Sequence, residues 1–503
     1  MTFVEISQDN VKDKIRKWFL SFPDCFKFNK ATREACRRLM LTKTIGELFG
    51  MIFHIKGKQV TNSGFSTTRM IALGFALIIV IGTVLLSLPI ATRTGEVNLL
   101  TSFFTATSAT CVTGLVAADT YQNWTLFGQL VILCMIQVGG LGFMTVGVYI
   151  AVLLKRRIGL QERATLHESV NTLEIAGVVR LVKKIVQGAF IIEGTGALLL
   201  AIRFIPRFGI ANGIYFSIFH AISAFCNGGF DLMGINEAYS SMVSFEGDIL
   251  VNLTLCALIL IGGIGFVVWD DVLKNKWRFK KYLLHSKIVL VSTLGLTVAG
   301  TFLFLIFENN AVFAGMTPTE KLLGALFASV TPRTAGFNTT DVAALSNAGK
   351  LFTLLLMFIG GSPGSTAGGV KTTTMTALLF YAVAMLRNRE DINLFGRRLT
   401  AEVVKKANAV VVINLSLAFT ASCIIMTLQP SIPMPDVLFE VFSAINTVGM
   451  TTGITRNLSV LSKMIIAVLM YCGRLGSLSF ALIFAKKPAV NTVREPQEKI
   501  IVG

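Results

Sequence analysis

Four short stretches of this 503-residue chain end alike: FFTATSATCVTGL (103–115), FHAISAFCNGGF (219–230), LFASVTPRTAGF (326–337) and FEVFSAINTVGM (439–450). Each is an apolar run too short to cross a bilayer, closing on small or polar residues and a glycine: Gly114, Gly229, Gly336 or Gly449. The chemistry open to such a set is carbonyl chemistry. Glycine adopts backbone dihedrals that other residues avoid, so consecutive carbonyls can turn to one side and replace a cation's hydration shell. The residues that would form such a filter are Thr110, Cys111, Val112, Thr113 and Gly114, then Cys226, Asn227, Gly228 and Gly229. Arg333, Thr334, Ala335 and Gly336 form the third group, and Asn446, Thr447, Val448 and Gly449 the fourth. The ion would sit at the carbonyls of Val112, Thr113, Asn227, Gly228, Thr334, Ala335, Thr447 and Val448. No ring of Asp or Glu accompanies them, which favours a weakly hydrated monovalent cation over a divalent one. One NGGF or TAGF alone reads more simply as a tight turn. Four of them, 115, 107 and 113 residues apart, read as duplication.

Other constellations are weaker. Gly360, Gly361, Ser362, Pro363, Gly364, Ser365, Thr366, Ala367, Gly368 and Gly369 interrupt an apolar run just before Lys371 and three threonines. A proline and five glycines in ten residues should unwind a helix, and bare backbone at membrane depth must be covered by protein or face water. The segment reads as a mobile gating plug below the glycines; a packing kink is the plainer reading. Its likeness to a phosphate loop fails because Val370 stands where the lysine belongs. GGLGF (139–143) and GGIGF (262–266) mimic dinucleotide fingerprints, but they lie inside apolar spans, where close packing through small residues explains them better. Arg474, a basic residue well inside the last span, has four readings: neutralising carbonyls, pairing with a carboxylate, forming an electrostatic barrier, or snorkelling to the surface. Asp119 reads as a cation attractor or a solvated loop carboxylate, and Glu193 as an arginine partner or a packing residue.

Something must hold those segments at membrane depth, and the composition supplies it. Only 15% of residues are charged while 53% are hydrophobic, too little charge to dress a soluble surface. A soluble enzyme, a disordered chain and a collagen-like one are excluded. Eight scattered Cys without metal spacing read as buried small hydrophobes, and four His make a histidine metal centre improbable. Long apolar stretches at 70–90, 124–154, 185–205, 248–269, 287–307, 351–380, 407–427 and 461–485 each supply the ~20 residues that a span needs. Basic residues crowd alternate connections: Lys155-Arg156-Arg157 with Arg180, Lys183 and Lys184; Lys274 through Lys287; Arg387 through Lys406; and Lys486-Lys487. The excess of basic residues places those connections, and both termini, in the cytoplasm. Residues 1–68 carry twelve Lys or Arg, with WFLSF and IGELFGMIF as short surface helices or as part of a solvated tail. No cleavable signal peptide opens the chain.

The expected fold class is therefore an all-α polytopic membrane protein. Its four tandem repeats of span, short re-entrant helix, filter and span surround a central pore with pseudo-fourfold symmetry, like a potassium channel. The repeats fall at 69–157, 178–283, 284–390 and 402–487, between the N-terminal region 1–68 and a tail at 488–503.

The TCVTG, NGGF, TAGF and TVGMT segments, with GSPGSTAGGVKTTT and the late GRLG, resemble the Trk/Ktr/HKT superfamily of potassium transporters over about 70–485, and most nearly its Ktr-type membrane subunits. The resemblance implies potassium uptake through a channel-like pore in the cell membrane, one pore per subunit of a homodimer. It maps the filter glycines to Gly114, Gly229, Gly336 and Gly449, the gating loop to 360–374 and the pore arginine to Arg474. It also implies a cytoplasmic ring of nucleotide-binding subunits of the KtrA/TrkA type, responsive to ATP and ADP, and stimulation by sodium. Members with Ser in the first filter favour sodium, whereas this chain has Gly114. The runner-up expectation is a sodium or mixed monovalent cation transporter of the same fold. A proton-coupled small-solute carrier would call for a charged pair at mid-bilayer and inverted repeats.

Overall fold

A computed structural model describes residues 67–153, 178–235, 237–389, 391–484 and 498. The two stretches read as surface helices, the Lys155-Arg156-Arg157 cluster and Lys486-Lys487 lie outside the described residues.

The described chain is mostly helical, and its elements recur in one order. A long apolar helix is followed by a short one and then by a helix interrupted near its middle. The first group is α1 (Thr67–Leu86), α2 (Leu99–Thr110), α3 (Leu126–Leu141) and α4 (Phe143–Leu153). The second is α5 (Val178–Phe208), α6 (Ile210–Phe225), α7 (Ile249–Gly263) and α8 (Phe266–Asn275). Next come α9 (Leu284–Phe307), α10 (Pro318–Val330), α11 (Asn347–Phe358) and α12 (Thr372–Leu386). The last are α13 (Ala401–Leu428), α14 (Met434–Ile445), α15 (Val460–Leu475) and α16 (Ser477–Phe484). A two-stranded hairpin, β1 (Asn393–Leu394) with β2 (Arg397–Arg398), precedes α13.

Local sequence accounts for the starts of these helices. α3, α7, α11 and α15 open on Thr125, Asp248, Ser346 and Ser459, whose side-chain oxygens accept the backbone N–H of Gly128, Val251, Gly349 and Ser462. Such caps satisfy an N–H that the first helical turn leaves without a partner. α10 starts with a capping box between Thr317 and Glu320.

Of the eight spans expected, only α1, α5, α9 and α13 are single helices long and apolar enough to cross a membrane. The other four are built in pieces. α3 and α4 meet at 92°, α7 and α8 at 96°, and residues 359–371 separate α11 from α12. The break points are glycines with left-handed backbone, Gly142 (φ 82°), Gly265 (φ 96°) and Gly476 (φ 87°). The expectation of uninterrupted spans through GGLGF and GGIGF is corrected here: a left-handed residue ends an α-helix.

Small residues set the packing. Between apolar helices in lipid, association comes from close contact rather than from the hydrophobic effect. A methyl group on Gly196 would stand 2.7 Å from Leu258 of α7. The largest buried cluster joins the first two groups, and a second joins Ile79, Phe104 and Leu115 to Ala418, Val441 and Ile466 of the last. Of the six described cysteines, Cys111, Cys226, Cys256 and Cys472 are buried, whereas Cys134 and Cys423 are exposed. The expectation that cysteines are buried fails for those two because a membrane protein also places small apolar groups on its outer surface.

Candidate functional site: a ring of four glycines

The short helices α2, α6, α10 and α14 end at Thr110, Phe225, Val330 and Ile445, just before the glycine segments. There the backbone alternates in handedness. Val112 (φ 55°), Asn227 (φ 59°), Thr334 (φ 82°) and Thr447 (φ 50°) are left-handed, and so, two residues on, are Gly114, Gly229, Gly336 and Gly449. Non-glycine residues rarely adopt this conformation, which is costly unless surrounding structure imposes it.

The four segments meet. A Cβ added to Gly114 would stand 2.8 Å from the carbonyl oxygen of Gly228 and 2.9 Å from Cα of Gly229. One on Gly229 would stand 2.8 Å from the carbonyl oxygen of Ala335, and one on Gly336 2.7 Å from that of Val448. One on Gly449 would strike the carbonyl oxygen of Thr113 and stand 2.9 Å from Cα of Gly114. The contacts therefore close on themselves, in the order first, second, third, fourth and back to first. No side chain fits on the inward face of any of the four.

Hydroxyls missed by sequence reasoning tie this ring to the helices behind it. The Gly114 N–H donates to Ser108 Oγ at 3.1 Å and the Gly449 N–H to Ser443 Oγ at 3.1 Å. Ser223 Oγ donates to the Phe230 carbonyl at 2.8 Å, and Thr331 Oγ1 to that of Phe337 at 2.6 Å. The available signal was a serine six residues before the glycine in three of the four stretches, with Thr331 five before it in the third. The Arg333 side chain turns away from the ring, with Nη2 donating to Thr297 Oγ1 at 2.8 Å and Nη1 to the Thr293 carbonyl at 3.3 Å.

Beneath the ring lies a second motif, whose first two copies are the GGLGF and GGIGF stretches. Gly139-Gly140-Leu141-Gly142, Gly262-Gly263-Ile264-Gly265 and Gly473-Arg474-Leu475-Gly476 sit at the three glycine breaks. In each, the first glycine presses its Cα face on the carbonyl that ends a short helix: Gly139 on Thr110, Gly262 on Phe225 and Gly473 on Ile445. The close packing expected of GGLGF and GGIGF is present, in addition to the break. The third group departs, since Gly360 packs on the carbonyl of Gly368.

That departure is the unwound segment. Its neck is closed by a parallel bridge between Ile359 and Val370, with Gly360 N–H donating to the Val370 carbonyl at 2.8 Å and Thr372 N–H to that of Gly361 at 3.0 Å. Its tip docks on the ends of α6 and α7: Ser362 N–H donates to the Gly263 carbonyl at 3.0 Å, and Thr366 Oγ1 to that of Phe225 at 3.1 Å. The Gly364 carbonyl accepts from Phe266 N–H at 2.8 Å. Gly368 lies against Thr447, and Gly369 against Asn446, so the loop touches the fourth ring segment from below. Lys371 Nζ donates to the carbonyls of Ala367 (2.8 Å) and Gly368 (3.1 Å). Arg474 donates to the carbonyls of Thr366, Gly139 and Gly140, the last at 3.1 Å. Its partners are carbonyl oxygens, not a carboxylate, and its side chain is held inward rather than snorkelling.

Asp119 finds another role than the two weighed above, and Glu193 joins two helices. Asp119 is buried, and its oxygens accept the N–H groups of Tyr121 (2.9 Å), Gln122 (2.8 Å) and Tyr239 (2.8 Å). It caps a helical turn and ties the connection between α2 and α3 to that between α6 and α7. Glu193 is buried and accepts from Gln137 Nε2 at 3.0 and 3.1 Å, so its partner is an amide rather than an arginine.

A family model described as "TrkH: Cation transport protein" matches residues 36–494. The Ktr system potassium uptake protein B of Bacillus subtilis is 42% identical over 450 residues, covering 89% of this chain and 99% of its own. The potassium/sodium uptake protein NtpJ of Enterococcus hirae is 40% identical over 454 residues, with 89% and 99% covered. The crystal structure of the potassium transporter TrkH from Vibrio parahaemolyticus superposes with a TM-score of 0.66 at 18% identity, over 85% of this chain and 87% of that one, and shows a shared fold. The motifs, the helical multi-pass architecture and these matches agree: the chain belongs to the TrkH family of cation transport proteins.

Proposed function

We propose that the chain is the ion-conducting membrane subunit of a Ktr-type potassium uptake system. The observation that carries this reading is the closed ring of Gly114, Gly229, Gly336 and Gly449, with the carbonyls of Thr113, Gly228, Ala335 and Val448 packed between them. A ring of backbone carbonyls without carboxylates suits a weakly hydrated monovalent cation. Alternating handedness turns neighbouring carbonyls to the same side, and the carbonyls of Val112, Asn227, Thr334 and Thr447 extend the path one layer inward. Four helix C-termini end beside the ring, and their partial negative charge favours a cation there. The hydroxyls of Thr113 and Thr447 are buried with no protein partner among the described residues, which leaves them available to the ion.

In this reading the chain comprises four repeats, at 69–157, 178–283, 284–390 and 402–487, arranged with pseudo-fourfold symmetry around the pore. The loop 360–374 is the gate and Arg474 its latch and electrostatic barrier. The loop's contacts with Asn446 and Thr447 support this, as do its bonds to Arg474 and α7. An interior-negative voltage supplies ~2.3 kcal/mol per charge per 100 mV, enough to drive uptake of a monovalent cation without an energy-coupling site. The basic connections support cytoplasmic termini in a cell membrane. The Ktr-type resemblance supports a homodimer, a cytoplasmic nucleotide-binding ring as partner and sodium stimulation.

Flux into proteoliposomes with potassium, rubidium, sodium and lithium tests the reading. Potassium and rubidium are expected to pass and lithium to be excluded; equal flux of all four would sink it. A mixed potassium and sodium pathway is the second reading, favoured by the likeness to the potassium/sodium uptake protein of Enterococcus hirae. Comparable potassium and sodium flux in the same assay would select it.

A further inference from the structure

Nine residues before each ring glycine, the short helices carry Thr105, His220, Phe327 and Glu440, all buried. Two of these reach forward to the chain leaving the ring. His220 Nε2 accepts the backbone N–H of Leu232 at 3.1 Å, while Nδ1 lies 2.7 Å from the Phe216 carbonyl one turn back. These partners set the tautomer: Nε2 holds the lone pair and Nδ1 the proton. Glu440 Oε1 accepts from Thr455 Oγ1 at 2.5 Å and Oε2 from Thr451 Oγ1 at 2.7 Å. Thr451 Oγ1 in turn accepts the Gly453 N–H at 3.0 Å, so the carboxyl group holds the turn that follows the ring. The other two positions do not reach forward. The Thr105 hydroxyl finds no protein partner among the described residues, and Phe327 has no polar atom to offer.

Leu232 is three residues past Gly229, and Thr451 two past Gly449. The ring contacts run first, second, third, fourth, so the second and fourth segments lie across from each other. We infer that His220 and Glu440 are positioning residues that brace opposite quarters of the ring, making it fourfold in shape but twofold in mechanical support. Each acts through buried hydrogen bonds on the backbone that holds the carbonyls, and leaving such a bond unmade is costly. The hydroxyl ties at the helix ends do not follow this pairing: Ser108 serves Gly114 as Ser443 serves Gly449, and Thr331 holds Phe337 as Ser223 holds Phe230. At the ninth position back, the first and third segments have no such bond among the described residues, and Asn338 is held instead from the second group, its N–H donating to Ser241 Oγ at 3.1 Å and its carbonyl accepting from the Met242 N–H at 2.8 Å.

The inference rests on the transport reading above, and one experiment separates the two. Potassium and sodium flux are measured in proteoliposomes for the wild type and for variants whose folding is checked by thermal melting. His220→Phe and Glu440→Leu are expected to lower the potassium-to-sodium flux ratio about tenfold, the scale of one lost buried hydrogen bond, while total cation flux persists. His220→Gln and Glu440→Gln keep an acceptor and should recover most of the ratio. Thr105→Val and Phe327→Leu should leave it unchanged. If a breaking variant does not fold, hydrogen exchange in folded His220→Gln and in the wild type gives a second reading. There the Leu232 amide must be slow in the wild type; fast exchange in it overturns the brace. An unchanged ratio in folded His220→Phe and Glu440→Leu, or an equal drop at all four positions, also overturns it. A wild type that passes no potassium overturns the transport reading instead.

Discussion

Arg474 donates to the carbonyl of Gly140 at 3.1 Å, and the two residues hold the same place in their own four-residue motifs, GRLG and GGLG. Gly263 holds that place in the second group, and Gly361 is the second of the two glycines that open the third group's loop. One guanidinium thus projects where the other groups carry no side chain. Four arginines around one axis would repel each other in a medium of low dielectric, whereas one can collect three carbonyls. Replacing Arg474 with Ala frees the carbonyls of Thr366, Gly139 and Gly140 together. Basal cation flux should rise several-fold, and Arg474→Lys should fall between, because an ammonium lacks the planar fork that spans separated acceptors. Wild-type leak in folded Arg474→Ala would return the residue to a packing role.

Gly336→Ser tests the ring itself. The serine Cβ would stand 2.7 Å from the Val448 carbonyl oxygen, at a φ of 84° that L-residues avoid. Backbone strain of about 1–3 kcal/mol is then released by moving one of the carbonyls that set the ring's dimensions. The potassium-to-sodium flux ratio should fall about tenfold. An unaltered ratio in a folded variant counts against assigning Gly336 to the filter.

The break motif makes a claim about stability. Gly139 and Gly473 lie on the carbonyls of Thr110 and Ile445 with no room for a methyl group. Gly139→Ala and Gly473→Ala should each destabilise by about 1–3 kcal/mol, as overpacked sites do, and lower the melting temperature. Gly194, also within a helix, has nothing within 4 Å of an added Cβ. There, Ala should leave the melting temperature unchanged or raise it, since Ala gains about 0.5–1 kcal/mol over Gly in a helix. Equal effects at all three sites would mean that helix propensity, not the helix-end contact, governs them.

Asp119 separates two roles by one pair of measurements. It accepts three backbone N–H groups from two separate connections, so Asp119→Ala should cost about 1–3 kcal/mol of stability. Selectivity should not change. A loss of flux at low potassium with unchanged melting would instead favour an electrostatic role at the mouth.

What was legible in the sequence follows from what sequence can encode. Span positions show in the length of apolar runs, and the four glycine stretches show because they recur about 110 residues apart. The unwinding of 359–371 is written in its proline and glycines. The breaks at Gly142, Gly265 and Gly476 were hidden, since a glycine in an apolar run serves equally for packing and for ending a helix, and here the same motifs do both. The partners of Arg474 were unreadable. Gly139 and Thr366 lie 335 and 108 residues from it in sequence, and their backbone carbonyls carry no side-chain signature. For the same reason Asp119, met on its own, gave no sign that it binds Tyr239 across 120 residues.

The loop gives the last test. Its neck is closed by the Ile359–Val370 bridge and by the bonds from Gly360 to Val370 and from Thr372 to Gly361. The chain between is therefore an excursion whose ends already meet, and removing residues 363–367 should leave α11 and α12 in place. The deletion takes away the Thr366 carbonyl held by Arg474, the Thr366 hydroxyl on Phe225 and the Gly364 carbonyl on Phe266. With the tip gone, Arg474 loses its partner in the loop while Gly368 and Gly369 keep their places against the fourth ring segment, and basal potassium flux should rise several-fold with selectivity retained, because the ring glycines are untouched. A plain packing kink predicts the reverse. Losing its bonds to the neighbouring helices would then loosen the fold, lowering both melting temperature and flux, and that outcome in purified protein would remove the gate from this segment.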